Sequence, residues 1–281
     1  MAWIGRTAEK IRRIAASLRP MRIPLHSAYT SFFFVLSLFP GLLLLLGVLR
    51  YTALGVAELM QVLEGWLPES LLPTIRSLVE TSYRHSSGTV VSISVIAALY
   101  SASRGMFGIL GGLNAVYRQP GRSYWRKRSI SMVYTAAFLA LLILTLLAYV
   151  GSTAILDYLQ MTTSPALLML MRLIDFRSIV LFLLLAALFD AMYAWLPAKR
   201  SRLRHSLPGA AAAAIGWLVF TKLFSVYVVF FTTYTNIYGS IYALALGMLW
   251  LYFCICIFFY GGVLNRYLDK RRQNLQGGKP Q

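Results

Sequence analysis

Three charged side chains sit in apolar surroundings: Arg104 in LYSASRGMFG, Asp190 in VLFLLLAALFDAMYAWLP and Lys222 in IGWLVFTKLFSVYV. Charge is costly in a long apolar run. Such a group marks an ion or substrate path, clamps two helices as a pair, or snorkels to the surface. Ser101, Ser103 and Asn114 add hydrogen-bonding groups around the arginine. These six residues are the candidates for contacting a substrate or lipid, and an anionic one suits the two cations.

Covalent chemistry finds little support. His26, His85 and His205 fall in separate segments, and no HExxH, P-loop lysine or GxSxG pattern occurs. Cys254 and Cys256 lie in an apolar run with no His, Asp or Glu nearby, so they read as small helix fillers. The expectation is a protein that is not an enzyme, with no cofactor and no metal site.

The elements that position these residues follow from hydropathy. The chain has 281 residues, 58% of them hydrophobic, against about 45–50% for a soluble domain. FFFVLSLFPGLLLLLGVL and FLALLILTLLAYV approach the roughly 20 residues that cross a bilayer. The expected fold is all-α and polytopic, with six transmembrane helices. They fall near 28–49, from 89 onward, 130–156, 178–196, 207–231 and 238–264. A basic amphipathic segment at 1–24 precedes a membrane domain at 25–266. An outer amphipathic segment at 50–88 carries breaks at Pro68 and Pro73, and a basic, disordered tail occupies 267–281. Pro40-Gly41 is expected to kink the first span.

Charge tests the topology. Of 27 Lys and Arg residues, 21 fall in 1–27, 104–129, 197–206 and 265–281, and six of the nine acids fall in the intervening outer segments. The positive-inside rule then puts both termini in the cytoplasm. The net charge of +18 reads as topology and attraction to anionic lipid rather than as nucleic-acid binding. Arg122, Arg126, Lys127, Arg128, Lys199, Arg200, Arg202 and Arg204 are the headgroup-contact candidates. The expected location is a membrane crossed several times.

Length arithmetic singles out the second span. Thr89 to Ser103 gives about 22 Å of helix, short of a hydrocarbon core of about 30 Å, whereas Thr89 to Tyr117 gives about 43 Å. The sequence therefore predicts a break near Ser103–Gly105, or else an arginine held in the inner half of the membrane and snorkelling to its surface. Asp190 lies about 10 Å before Pro197. Its expected depth matches that of Arg104, which makes the two a candidate pair. Lys222 lies about 22 Å into the fifth span, where it snorkels outward or meets an anion. Gly105, Gly108 and Gly112, and then Gly239, Ala243 and Gly247, form small-residue faces for helix packing.

With these residues in hand, the chain resembles the YihY/BrkB family of bacterial inner-membrane proteins, some members of which were once labelled ribonuclease BN. The landmarks are FFFVLSLFPGLLLLLGVL, LYSASRGMFGILGGLNAVYR, WLP with its basic loop, LPGAAAAAIGWLVFTKLFSVYV and IYGSIYALALGMLWLYFCICIFFYGGVLN. The resemblance implies six inner-membrane spans and a loose link to the envelope. The last span departs from the pattern, since Val263 stands where many members carry glutamate. The expected function is handling or transport of an anionic envelope lipid or small anionic solute. The alternative is a scaffold for envelope assembly, with a protein partner or a second copy; a membrane nuclease or hydrolase ranks last.

Overall fold

The computed structural model describes residues 18–49, 57, 60, 67–85, 88–119, 123–136, 176–198, 203–230 and 235–276. Among these residues all regular structure is helical. A 3-10 turn at Arg19–Met21 leads into α1 (Ile23–Leu49), and a second one at Glu69–Leu71 leads into α2 (Leu72–His85). Then come α3 (Gly88–Val116), α4 (described over 124–136), α5 (Phe176–Trp195), α6 (Leu203–Phe230) and α7 (Thr235–Gln276). Each expected span falls on one of these helices, although 137–156 of the third lies outside the described residues. Two stretches, Leu203–Val228 and Tyr242–Asn274, are long and apolar enough to cross a membrane.

The expected break in the second span is not there: α3 runs unbroken through Ser103, Arg104 and Gly105 for 29 residues. Each residue that argued for a break has a use in a continuous helix. The Ser103 hydroxyl donates to the Tyr100 carbonyl one turn back (2.8 Å), which satisfies it locally. Arg104 folds along the surface onto Tyr100. Gly105 and Gly108 lie against α1, where an added Cβ would collide with Phe34 at the first and with Tyr29 and Thr30 at the second; at Gly112 it would collide with Phe259 of α7. At these glycines the neighbouring side chains come close to the α3 backbone. About 43 Å of helix then fits by tilting or by projecting beyond the hydrocarbon.

The tail also differs from expectation. Residues 267–276 continue α7 instead of being disordered. Arg, Lys, Leu and Gln are strong helix formers, and Asp269 meets Arg272 one turn on (3.9 Å). At 42 residues, α7 is about 63 Å long, more than a bilayer with its headgroups spans. Part of it must therefore project beyond the hydrocarbon. In α2, Pro73 sits in the first turn, where its missing N–H is harmless. It opens the helix rather than breaking it. α1 runs on through Pro40.

Packing forms two clusters. One joins α1, α3, α5, α6 and α7 through Leu110, Leu113, Phe189, Tyr193, Phe258 and Phe259. The other seats Leu71, Ile75 and Val79 against Phe224, Val228 and Trp250 of α6 and α7. Helices α6 and α7 cross closely at Gly209 and Gly261, where a Cβ on either glycine would collide with the other's carbonyl oxygen. Ala210, Ala213 and Ala214 continue this small-residue face, all buried. Gly247 packs more loosely: a Cβ there would meet only Leu71, at 3.8 Å.

Candidate functional site

The end of α3, the end of α5, the start of α6 and the basic end of α7 meet at one end of the bundle. Asp190 is 7% exposed there and accepts a hydrogen bond from the Ser206 hydroxyl (2.5 Å). The Ser206 carbonyl accepts from Asn265 Nδ2 (2.8 Å), and Asn265 Oδ1 accepts from the Gly209 N–H (2.7 Å). Ser206 and Gly209 lie in the first two turns of α6, on either side of Pro208. Asn265 therefore ties α7 to the first turns of α6, and Ser206 passes the tie to α5. Tyr193 donates to the Phe258 carbonyl from the same side of α5. Asn114 accepts from the Ala198 N–H (3.1 Å), while its Nδ2 is buried without a partner.

The Arg104–Asp190 pair is not formed. Asp190 is engaged instead by Ser206 at the start of α6. The depth match assumes a span that ends near Ser103, whereas α3 runs on unbroken to Val116. Arg104 turns instead to the outer surface. Its Nη2 donates to the Tyr100 hydroxyl (2.9 Å), and its guanidinium lies 5.5 Å from the Phe33 and Tyr100 ring centroids. From α4, Arg128 approaches the same Tyr100 ring at 4.9 Å. Tyr100, Tyr124 and Trp125 are all exposed, and Phe107 packs on Tyr124. Two cations thus share one exposed aromatic face, each held by ring quadrupoles rather than by a carboxylate.

The remaining candidates scatter. Ser101 and Ser103 are buried in α3. Lys222 is exposed on α6 beside Val219, Leu223 and Val226, which are exposed as well. It lies about 24 Å along that helix from Ser206, so it joins neither group. Arg126 and Arg204 are exposed and Lys127 is half-buried, while Arg122, Lys199, Arg200 and Arg202 lie outside the described residues. Among the described residues no three His, Cys, Asp or Glu side chains gather as metal ligands would.

A cavity of about 470 Å³ opens at the same end. It is lined by Met21, Arg118, Val263, Arg266, Tyr267, Lys270, Arg271 and Asn274. Arg266, just past the apolar part of α7, donates to the Val116 carbonyl at the end of α3 (2.8 Å). Burial, and after it the nearby charge of Arg118, lowers the pKa of Arg266 below its ordinary value. Sequence reasoning counted these cations only as topology markers, because their convergence depends on the turn after α3. Ser206, Asn265, Gly209 and Gly261 also escaped it, although LPGAAAAA and GGVLN carry the small-residue and amide signals.

The fold and these polar groups define an all-helical membrane protein. The family model for virulence factor BrkB matches residues 15–281, and the chain belongs to that family. YfkH of Bacillus subtilis (strain 168), which carries a ribonuclease-like label, is 34% identical over 248 residues, covering 88% of this chain and 90% of its own. The UPF0761 membrane protein VP0125 of Vibrio parahaemolyticus is 25% identical over 261 residues, covering 89% and 79%. A UPF0761 membrane protein of Chlorobium limicola is 28% identical over 241 residues, covering 84% and 53%. No solved structure matches.

Proposed function

We propose that this protein handles an anionic lipid, or a small anionic solute, at the cytoplasmic side of a bacterial inner membrane that it crosses six times. The helix order and the uneven Lys/Arg distribution support that topology, with both termini inside. The observation that carries the function is the convergence of Arg104 and Arg128 on the exposed ring of Tyr100. Among the described residues no carboxylate holds either cation there, and the exposed Tyr124 and Trp125 have the amphipathic chemistry of a headgroup layer. A lipid phosphate between the two guanidiniums would gain charge-assisted hydrogen bonds.

The test is movement of labelled phosphatidylglycerol and phosphatidylcholine in proteoliposomes. Arg104→Ala with Arg128→Ala should slow the anionic lipid at least about tenfold, equivalent to one lost charge-assisted contact, and leave the zwitterionic lipid unchanged. Equal rates for wild type and variant would remove this site from the function.

A second reading, a scaffold for envelope assembly, draws on a different observation. Asp190 is engaged by Ser206 beside Phe189 and Tyr193 in a closely packed interior, which suits a clamp better than a passage. A stoichiometric envelope partner on purification, with no lipid movement by the isolated protein, would favour it.

A further inference from the structure

The cavity at the basic end is a separate feature from the Tyr100 face. Among the described residues its lining holds four cations, Arg118, Arg266, Lys270 and Arg271, and no carboxylate. The acid nearest in sequence, Asp269, turns to Arg272 instead. Gathering like charges around an open volume raises free energy unless something of opposite sign enters.

The backbone at Arg118 points the same way. After α3 the Arg118 N–H bonds to the Ala115 carbonyl (3.2 Å) and the Gln119 N–H to the Asn114 carbonyl (2.9 Å). This is a Schellman cap, whose left-handed position is ordinarily glycine. Here it is arginine at φ 50°. Glycine would hold the cap without strain, yet the chain places a guanidinium there, on the cavity wall. Residues kept in such a conformation cluster at ligand sites.

We infer that this cavity binds a phosphate-bearing anion, gripped by Arg118, Arg266, Lys270 and Arg271. Phosphate suits the donor set: planar guanidiniums give paired hydrogen bonds and the lysine a point charge. The ligand is a free phosphate compound or the headgroup of an anionic lipid, since the cavity opens just beyond the apolar part of α7. The inference goes beyond the reading above. It uses different residues, and its readout is binding, which stands whether or not lipid moves.

The experiment titrates inorganic pyrophosphate into the full-length protein by calorimetry, in nanodiscs of phosphatidylcholine alone and of phosphatidylcholine with phosphatidylglycerol. Saturable binding is expected in the first. In the second, undiminished affinity identifies a soluble ligand, and loss of binding identifies phosphatidylglycerol as the occupant. Arg118→Gly should weaken pyrophosphate at least about tenfold, the loss of roughly one charge-assisted contact, while leaving thermal stability the same or higher because the strained backbone is relieved. Val263→Glu, which puts a carboxylate into the cavity, should abolish binding. Lys270→Ala with Arg271→Ala removes two exposed cations and should weaken it further than Arg118→Gly. Absence of pyrophosphate binding in phosphatidylcholine nanodiscs, or affinities unchanged in all three variants, would overturn the inference.

Discussion

Asp190 and Arg104 each place one charge within an apolar run, and the fold resolves them in opposite ways. Asp190 is turned inward and takes a hydrogen bond from Ser206. Arg104 is turned outward and lies against the rings of Phe33 and Tyr100. Side-chain reach explains the contrast. A carboxylate on one methylene cannot reach the headgroups, so the protein must satisfy it within the bundle. An arginine carries its charge on a long apolar stem and lies along a surface at little cost. An acid and a base read as equally suspicious in the sequence are therefore a structural tie and an exposed contact.

The largest expected effect strikes the inward side, where the tie depends on backbone approach. Gly261→Leu drives a side chain into the Gly209 carbonyl, the Tyr193 hydroxyl and Ala213, with the Cβ alone at 2.6–2.7 Å. Carbonyl and helix cannot give way as a flexible side chain can, so the cost should be about 3 kcal/mol or more. Gly247→Ala, whose Cβ meets only Leu71 at 3.8 Å, should change stability by no more than about 0.5 kcal/mol. Thermal unfolding in a mild detergent compares the two. Equal losses would mean that the Gly209–Gly261 crossing does not organise this end.

A smaller effect separates a tie from a charge pair. Asp190→Ala leaves the buried Ser206 hydroxyl with only its own-turn contact to the Leu203 carbonyl, and should cost about 2 kcal/mol. Asp190→Asn keeps an acceptor for Ser206 and should cost about half as much. Exchanging the charges, Arg104→Asp with Asp190→Arg, should recover none of the loss seen in the single variants. Recovery of stability in the exchanged protein would show that the two charges do meet.

Much of the helix layout was legible in the sequence, because hydropathy runs and Lys/Arg bias are local signals. The start of α6 within a few residues of 207 and the placement of α5 over 178–195 follow from them. Partnership was not legible. The serines, arginine and glycine of 101–105, with Gly108 after them, look unfit for a helix only until Tyr100, Phe34 and Thr30 stand beside them. The Gly209–Gly261 crossing joins single glycines on two helices, and no spacing within either one announces it. Arg118 looked like one more inner charge, since the cap that gives it a left-handed backbone is a property of the folded turn.

The smallest effect on stability belongs to Arg104→Ala, and it sharpens the contrast most. Two ring contacts and one hydrogen bond at an exposed face should hold the fold by only about 1 kcal/mol. Lys222→Ala, on a face shared with exposed Val219, Leu223 and Val226, should fall within about 0.5 kcal/mol of wild type. The two cations should differ in what they retain. Arg104 shares Tyr100 with Arg128, and its removal should strip co-purifying phosphatidylglycerol in native mass spectrometry. Lys222 shares its exposed face with Val219, Leu223 and Val226, and its removal should leave the bound lipid unchanged. If both variants keep the same lipid, exposure alone accounts for Arg104, and the convergence on Tyr100 is an ordinary packing of arginine on an aromatic ring. If only Arg104→Ala loses it, a cation that contributes little to the fold is held in place for what it binds.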